Sequence, residues 1–172
     1  MHNFEESLAM SKAQAEEPWW ELVYRAAFPN FAGMIYVADD GWAQRGGIDR
    51  VITLSSGKTV AVDEKSRSKN YPDILWEYWS VEGKTKGWCA KDLACDYIAY
   101  AFVPSKTCYL LPALQLRKAW IRHRLKWVDL GKKEENGFRI VRAINDGYVT
   151  VSVAVPIRES LDAIRDAMVI AW

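Results

Sequence analysis

The sequence predicts an α/β fold of the α+β kind, a mixed β-sheet flanked by helices, built as a single domain over residues 1–172. Three observations lead there. Half of the residues are apolar, enough for one sizeable core. No Pro/Gly/Ser-rich linker, low-complexity tract or internal repeat divides the chain. Segments with helical apolar spacing and β-rich segments follow the order helix, several strands, helix, strands, helix, as in a sheet covered by helices.

Residues 3–16 read as helical, and Pro18 favours the first turn of a second helix over 18–28. Trp19, Trp20, Val23, Tyr24 and Ala27 recur there at helical spacing, and Pro29 ends the run. Met34 to Val37 is a short strand closed by the turn residues Asp39-Asp40-Gly41. Without further acids at alternating positions that triplet does not match a calcium loop. Ile48 to Leu54 reads as a strand, and Ser55-Ser56-Gly57 as a three-residue hairpin loop with Gly57 left-handed. Lys58 to Lys65 is the returning strand, with β-branched Thr59, Val60 and Val62.

A strand is expected over 73–80, including Ile74, Trp76 and Tyr78, then a helix over 88–95 and strands over 97–103 and 107–111. Pro112 opens a helix that runs to about Trp127, with Leu114, Ile121, Leu125 and Val128 as an apolar face. A charged loop at Lys132 to Glu135 precedes strands over 138–144 and 148–155. A helix over 157–170 closes the chain, with Leu161, Ile164 and Met168 along one face.

Composition narrows the function. The net charge is +1, so attraction for nucleic acid must come from a local patch. The acidic and polar residues from Met1 to Glu17 are the wrong chemistry for a signal peptide, and no run of about 18 apolar residues suggests a membrane span. The expectation is a soluble, intracellular, cytoplasmic protein. Cys89, Cys95 and Cys108 are odd in number and form no Cys-x-x-Cys pair. With His2 and His123 as the only histidines, a Cys/His zinc site lacks ligands, and a Ser-His-Asp or Cys-His enzyme has little to work with.

The chemistry concentrates on the hairpin. A three-residue loop at 55–57 sets Leu54 opposite Lys58, and counting outward sets Asp49 opposite Asp63. Alternation puts Asp63 and Lys65 on one face, with Asp49 beside them, and the Glu64 side chain on the other. Opposed like charges destabilise a hairpin unless something bridges them. A hard divalent cation such as Mg²⁺ suits carboxylate oxygens, and Lys65 can orient a water or stabilise charge on a phosphate. The alternative is a polar strand end with solvated charges. Glu82-Gly83-Lys84 repeats the acid-x-Lys spacing without an apolar strand before it or a paired Asp, and reads as a solvated turn.

Gly47-Ile48-Asp49, with thirteen residues before Asp63 and then Asp63-Glu64-Lys65 after Val60-Ala61-Val62, resembles the core of the PD-(D/E)xK nuclease superfamily. That superfamily includes restriction endonucleases, archaeal-type Holliday junction resolvases and many phage nucleases. The resemblance spans about 17–110 and implies a restriction-endonuclease-like core over about 17–127, with a C-terminal extension over about 128–172. It implies catalytic roles for Asp49, Asp63 and Lys65, and Mg²⁺, or Mn²⁺ in its place, held by Asp49, Asp63 and the backbone carbonyl of Glu64. Such sites often take an acid from the preceding helix; Glu21 is the choice and Glu17 the alternate. DNA is the implied partner, and the superfamily's junction-resolving members act as dimers, so a homodimer is a further expectation. One departure stands: Gly47-Ile48 replaces the Pro of the motif.

Further positions are compatible with nucleic acid. Arg67 and Lys69, in Ser66-Arg67-Ser68-Lys69, directly follow Lys65, while Gln44 and Arg45 precede the Asp49 strand. Lys118, Arg122 and Lys126 form a cationic stripe at i, i+4, i+8. Each has a plain alternative, a polar loop or a solvated helix face. Among nine tryptophans, Trp76, Trp79, Trp88, Trp120 and Trp127 could stack on bases, although core or oligomer roles are the commoner use. The leading expectation is a Mg²⁺-dependent enzyme that cleaves DNA. The alternatives are a DNA-binding module of nuclease-like fold without catalysis, or a protein-interaction domain.

Overall fold

Aromatic and aliphatic residues at helical spacing make Trp19–Ala27 (α1) amphipathic, and its buried side, Trp20, Val23 and Tyr24, is the side the sequence marks. The computed structural model describes residues 17–172; the helix expected over 3–16, and His2, lie outside them. The remaining elements, in order, are β1 (Phe31–Tyr36), α2 (Gly41–Gly46), β2 (Arg50–Leu54), β3 (Thr59–Arg67), β4 (Asp73–Val81), β5 (Thr85–Lys86), β6 (Tyr97–Phe102), β7 (Thr107–Pro112), α3 (Ala113–Lys133), β8 (Arg139–Asn145), β9 (Tyr148–Pro156), α4 (Ile157–Ala163) and β10 (Met168–Ala171). The architecture is α+β, mostly antiparallel sheet flanked by helices.

The described residues fall into two compact units, each assembled from separate stretches of chain. One, the hairpin unit, holds 17–70, Leu93–Ala113 and Asp166–Trp172. Its six strands run β1-β2-β3-β6-β7-β10, with β3–β6 parallel and the other neighbours antiparallel. Trp20, Val23 and Tyr24 of α1 share a buried cluster with Ile52, Val62, Ala99, Ala101, Cys108 and Leu110. That cluster covers the sheet face on which Val62 points.

The second unit holds Tyr71–Asp92 and Leu114–Arg165. Its four strands are antiparallel, in the order β5-β4-β9-β8. On β4, Trp76 meets Trp120 at 6.3 Å and Trp127 at 4.8 Å between ring centroids, which seats α3 against β4. A Cβ on Gly131 would lie 2.9 Å from Ile140 Cδ1 and 3.3 Å from the Arg139 main chain, so the last turns of α3 pack closely on β8 and a side chain there would make Ile140 shift.

Four expectations are corrected. Residues 88–95 are not helical: Ala90 and Lys91 close a single turn on the Gly87 carbonyl, but the Cys89 N–H donates to the Glu77 carbonyl and the Ala94 N–H to that of Gly46. The closing helix ends at Ala163 rather than near 170. Asp166 turns the chain at φ +62°, and Met168–Ala171 pairs with the edge of β7, where β-branched Val169 and Ile170 suit a ladder. On α3 the buried stripe is Leu116, Ala119, Trp120 and Trp127, whereas Leu114, Ile121 and Leu125 are 59–82% exposed. The helix also runs on through Lys132 and Lys133, which were expected in a loop.

Candidate metal and active site

Gly57 at φ +80° closes the hairpin, with its N–H on the Leu54 carbonyl. The register runs Thr53 opposite Thr59, Ile52 opposite Val60, Val51 opposite Ala61 and Arg50 opposite Val62. Asp49 lies in a bend just before β2, and its N–H donates to the carbonyl of Val62, the partner of Arg50, at 2.9 Å, so the regular pairing stops one residue short of the two acids. Val62 and Glu64 face α1, so alternation turns Asp63 and Lys65 to the other face, and Asp49 lies close enough to Asp63 to act on its carboxyl. Upstream, α2 ends at Gly47 in a left-handed conformation, φ +66°, that proline cannot adopt. The Ile48 N–H donates to the Ala43 carbonyl at 2.9 Å, a bond that a proline there would also lose.

Asp63 is 3% exposed, and the Lys65 ammonium contacts its Oδ1. Lys65 Nζ also donates to the Glu64 carbonyl at 3.4 Å. That carbonyl points toward the β2 side of the strand. Val62 uses that side to accept from Asp49, whereas Ala61 and Arg67 accept from Asp96 and Val103 on the β6 side. The ladder of β2 has ended at Arg50, so the Glu64 N–H donates not to a strand but to Asp49 Oδ2, at 2.7 Å. Two carboxylates, one carbonyl and one ammonium thus gather where β3 outruns β2. Burial, chiefly, and the nearby Asp49 push the Asp63 carboxyl up to about 7, against the opposing pull of Lys65.

Behind the sheet, the Glu64 side chain is buried with Arg50 and Tyr24. Arg50 Nε and Nη2 donate to its two oxygens at 2.6 and 3.2 Å, and Tyr24 Oη donates to Oε1 at 2.6 Å. Sequence reasoning set Glu64 aside as the residue facing away from the site. The available signal was Arg50 and Glu64, opposite charges one register step apart diagonally, both on the face that α1 covers.

The other expected residues are placed as follows. Glu21 lies on α1, which covers the face opposite the two acids, and its carboxylate accepts from Arg25 at 2.6–2.8 Å; the structure does not bring it to Asp49 and Asp63. Glu17, the alternate, precedes α1 and is exposed. Gln44 and Arg45 are exposed on α2, one turn before Asp49. Arg67 ends β3, where its guanidinium donates to Tyr100 Oη at 3.3 Å, and Lys69 is exposed just beyond. Lys118, Arg122 and Lys126 are exposed on α3 in the other unit. Trp76, Trp88, Trp120 and Trp127 are at most 6% exposed and build the core rather than offering faces to bases; Trp79 is partly buried. Glu82, the acid of the other acid-x-Lys triplet, lies in a turn and pairs with Arg142. His123 stacks on Trp127, and burial together with Arg122 and Lys126 pulls its pKa down.

Among the described residues, no group of three or more His, Cys, Asp or Glu side chains could hold a metal ion. The donor set at the hairpin is two carboxylates and a main-chain carbonyl. It fits a small hard cation that keeps most of its waters and does not fit a zinc site. No described helix is long and apolar enough to cross a membrane. No protein-family model, curated protein or solved structure matches the chain.

Proposed function

We propose that the chain is a Mg²⁺-dependent phosphodiesterase that cleaves DNA, with a restriction-endonuclease-like core of the PD-(D/E)xK type in the hairpin unit. The observation that carries this reading is the convergence of Asp49, Asp63 and Lys65 at the point where β2 stops and β3 continues, with the Glu64 N–H on Asp49 and the Lys65 ammonium on Asp63. Asp49, Asp63 and the Glu64 carbonyl would hold the ion, which when bound supplies Lewis-acid stabilisation and an activated water. Asp49 is held in place for that role by the Glu64 N–H on its Oδ2. The Lys65 ammonium rests on two of the three ligand atoms, and a dication there would repel it. Its side chain is 33% exposed, so it can turn outward to orient a water or to balance charge on a phosphate. Arg45, Arg67 and Lys69 supply positive charge in the segments flanking the two acids, with Gln44 as a further donor, and would contact the DNA backbone.

The test is incubation with plasmid, linear, single-stranded and branched DNA in Mg²⁺ or Mn²⁺. Cleavage of at least one substrate is expected, reduced about 100-fold or more in Asp63→Ala and Lys65→Ala. No cleavage, or equal cleavage by the variants, rejects the assignment. A second reading, a DNA-binding or protein-interaction module without catalysis, has one observation in its favour: Lys65 already neutralises Asp63 within the chain. It predicts no uptake of Mg²⁺ in calorimetry, with or without DNA binding.

A further inference from the structure

The strand ends that carry Asp49 and Asp63 are tied together a second time, on the opposite face of the sheet. Arg50 and Glu64 directly follow the two acids, so the pleat turns both side chains toward α1. Their side chains are 6% and 5% exposed, and Tyr24 is fully buried beside them. The cross-strand partner of Arg50 is Val62, so its paired bonds to Glu64 run diagonally, across the strand ends that carry the two acids. Tyr24 donates to the same Glu64 oxygen and fixes the pair to α1. Glu64 also acts at the front, through the N–H that holds Asp49 Oδ2. One residue is thus anchored behind the sheet by two partners and orients a carboxylate before it.

A buried ion pair is a poor source of net stability, because matched apolar side chains serve the fold as well or better. What apolar side chains would not supply is a fixed position for the strand at Glu64. Past the Asp49 N–H bond to Val62, the main-chain ladder between these strands has ended, and the two carboxylates repel. We propose that Arg50, Glu64 and Tyr24 form a positioning device, setting the separation and orientation of the Asp49 and Asp63 carboxylates for a divalent cation. The inference rests on the reading of those two acids as a cation site.

The test uses the Arg50→Met/Glu64→Met double variant, which replaces the pair with apolar side chains of similar volume and is expected to fold. Two quantities are read on the intact chain: Mn²⁺ affinity by calorimetry, and hydrogen exchange of the amide at position 64 in the metal-free protein. The double variant is expected to bind Mn²⁺ about 10–100-fold more weakly and to exchange that amide about tenfold faster or more. Glu64→Gln keeps one acceptor oxygen, which can serve Arg50 Nε and Tyr24 Oη as Oε1 does, but loses the acceptor of Arg50 Nη2, and should restore part of both properties. A folded double variant with wild-type Mn²⁺ affinity and wild-type protection overturns the proposal. If it does not fold, Tyr24→Phe decides by the same two readouts, with smaller changes in the same direction supporting the proposal and no change overturning it. A wild-type protein that takes up no Mn²⁺ defeats the cation-site reading and the device's purpose with it. The amide measurement distinguishes that failure, since it reports in metal-free protein whether the network holds Asp49.

Discussion

The ammonium of Lys65 lies against the carboxylate of Asp63, two residues away on the same strand and the same face. The contact places a cation of the chain's own where a divalent ion would need the same oxygen, and the Glu64 carbonyl is its second acceptor. Cation binding as proposed would therefore compete with the Lys65 contact.

Lys65→Met removes the competitor and the charge that a phosphate would need. It is expected to bind Mn²⁺ as tightly as the wild type or more tightly, while cleavage falls about 100-fold or more. Parallel calorimetry and cleavage assays read this. A variant that loses cation binding along with cleavage would show Lys65 to be a prop for the acids rather than a participant.

Asp63 sets a pH dependence. Its folded-state pKa, raised to about 7 by burial and by Asp49, lies above the ordinary value of 3.8. The folded protein therefore holds a proton that the unfolded chain releases. The stability this contributes is fully present below about pH 4 and is lost as pH rises through about 7. Without divalent cations, Asp63→Asn is expected to be more stable than the wild type at pH 8, by on the order of 3 kcal/mol, and to show a flatter profile between pH 4 and 8. Thermal melts across that range, with and without Mg²⁺, check this; added Mg²⁺ should raise the wild-type Tm at pH 8 and leave Asp63→Asn little changed.

Glu21→Gln should leave both Mn²⁺ affinity and any cleavage unchanged, because its carboxylate pairs with Arg25 on a helix that covers the other face. Exposed i, i+4 pairs of this kind contribute little to stability, so the melt should not move either. A loss of cation affinity would place Glu21 at the acids after all.

On α3, Leu116→Ala should destabilise by about 2–5 kcal/mol through lost burial and the cavity left behind, since Leu116 is 1% exposed. Leu125→Ala, at a position 82% exposed, should change stability by no more than about 0.5 kcal/mol. Denaturant unfolding of the two variants separates the buried stripe from the solvent stripe. The reverse ranking would restore the face that the sequence pattern favours.

The hairpin was legible in the sequence because its contacts are local. A three-residue loop ending in Gly57 fixes the register as far as Arg50 opposite Val62, and the next residue, Asp49, bends toward Asp63 without pairing with it in the ladder. Where distant chain decides, the pattern fails. Cys89 and Ala94 give their N–H groups to Glu77 and Gly46, and Met168–Ala171 takes its ladder from β7; neither partner is visible in a local window. Helix α3 carries two apolar stripes, and packing against Trp76 on β4 favours the one with Trp120 and Trp127 over the one with Ile121 and Leu125. Glu21 followed from its place on the preceding helix, but the sequence does not say which face of the sheet that helix covers. Tyr24 and Glu64 now show that it covers the back. The Arg50–Glu64 pair was present in the same register count that located the acids, one residue further along each strand.

The most direct test of the cation site is a crystal soaked in Mn²⁺ and examined for anomalous scattering. The expected result is a peak about 2.1 Å from a carboxylate oxygen of both Asp49 and Asp63, with Lys65 Nζ moved off Asp63. A map with no peak, and Lys65 still bound to Asp63, would contradict it.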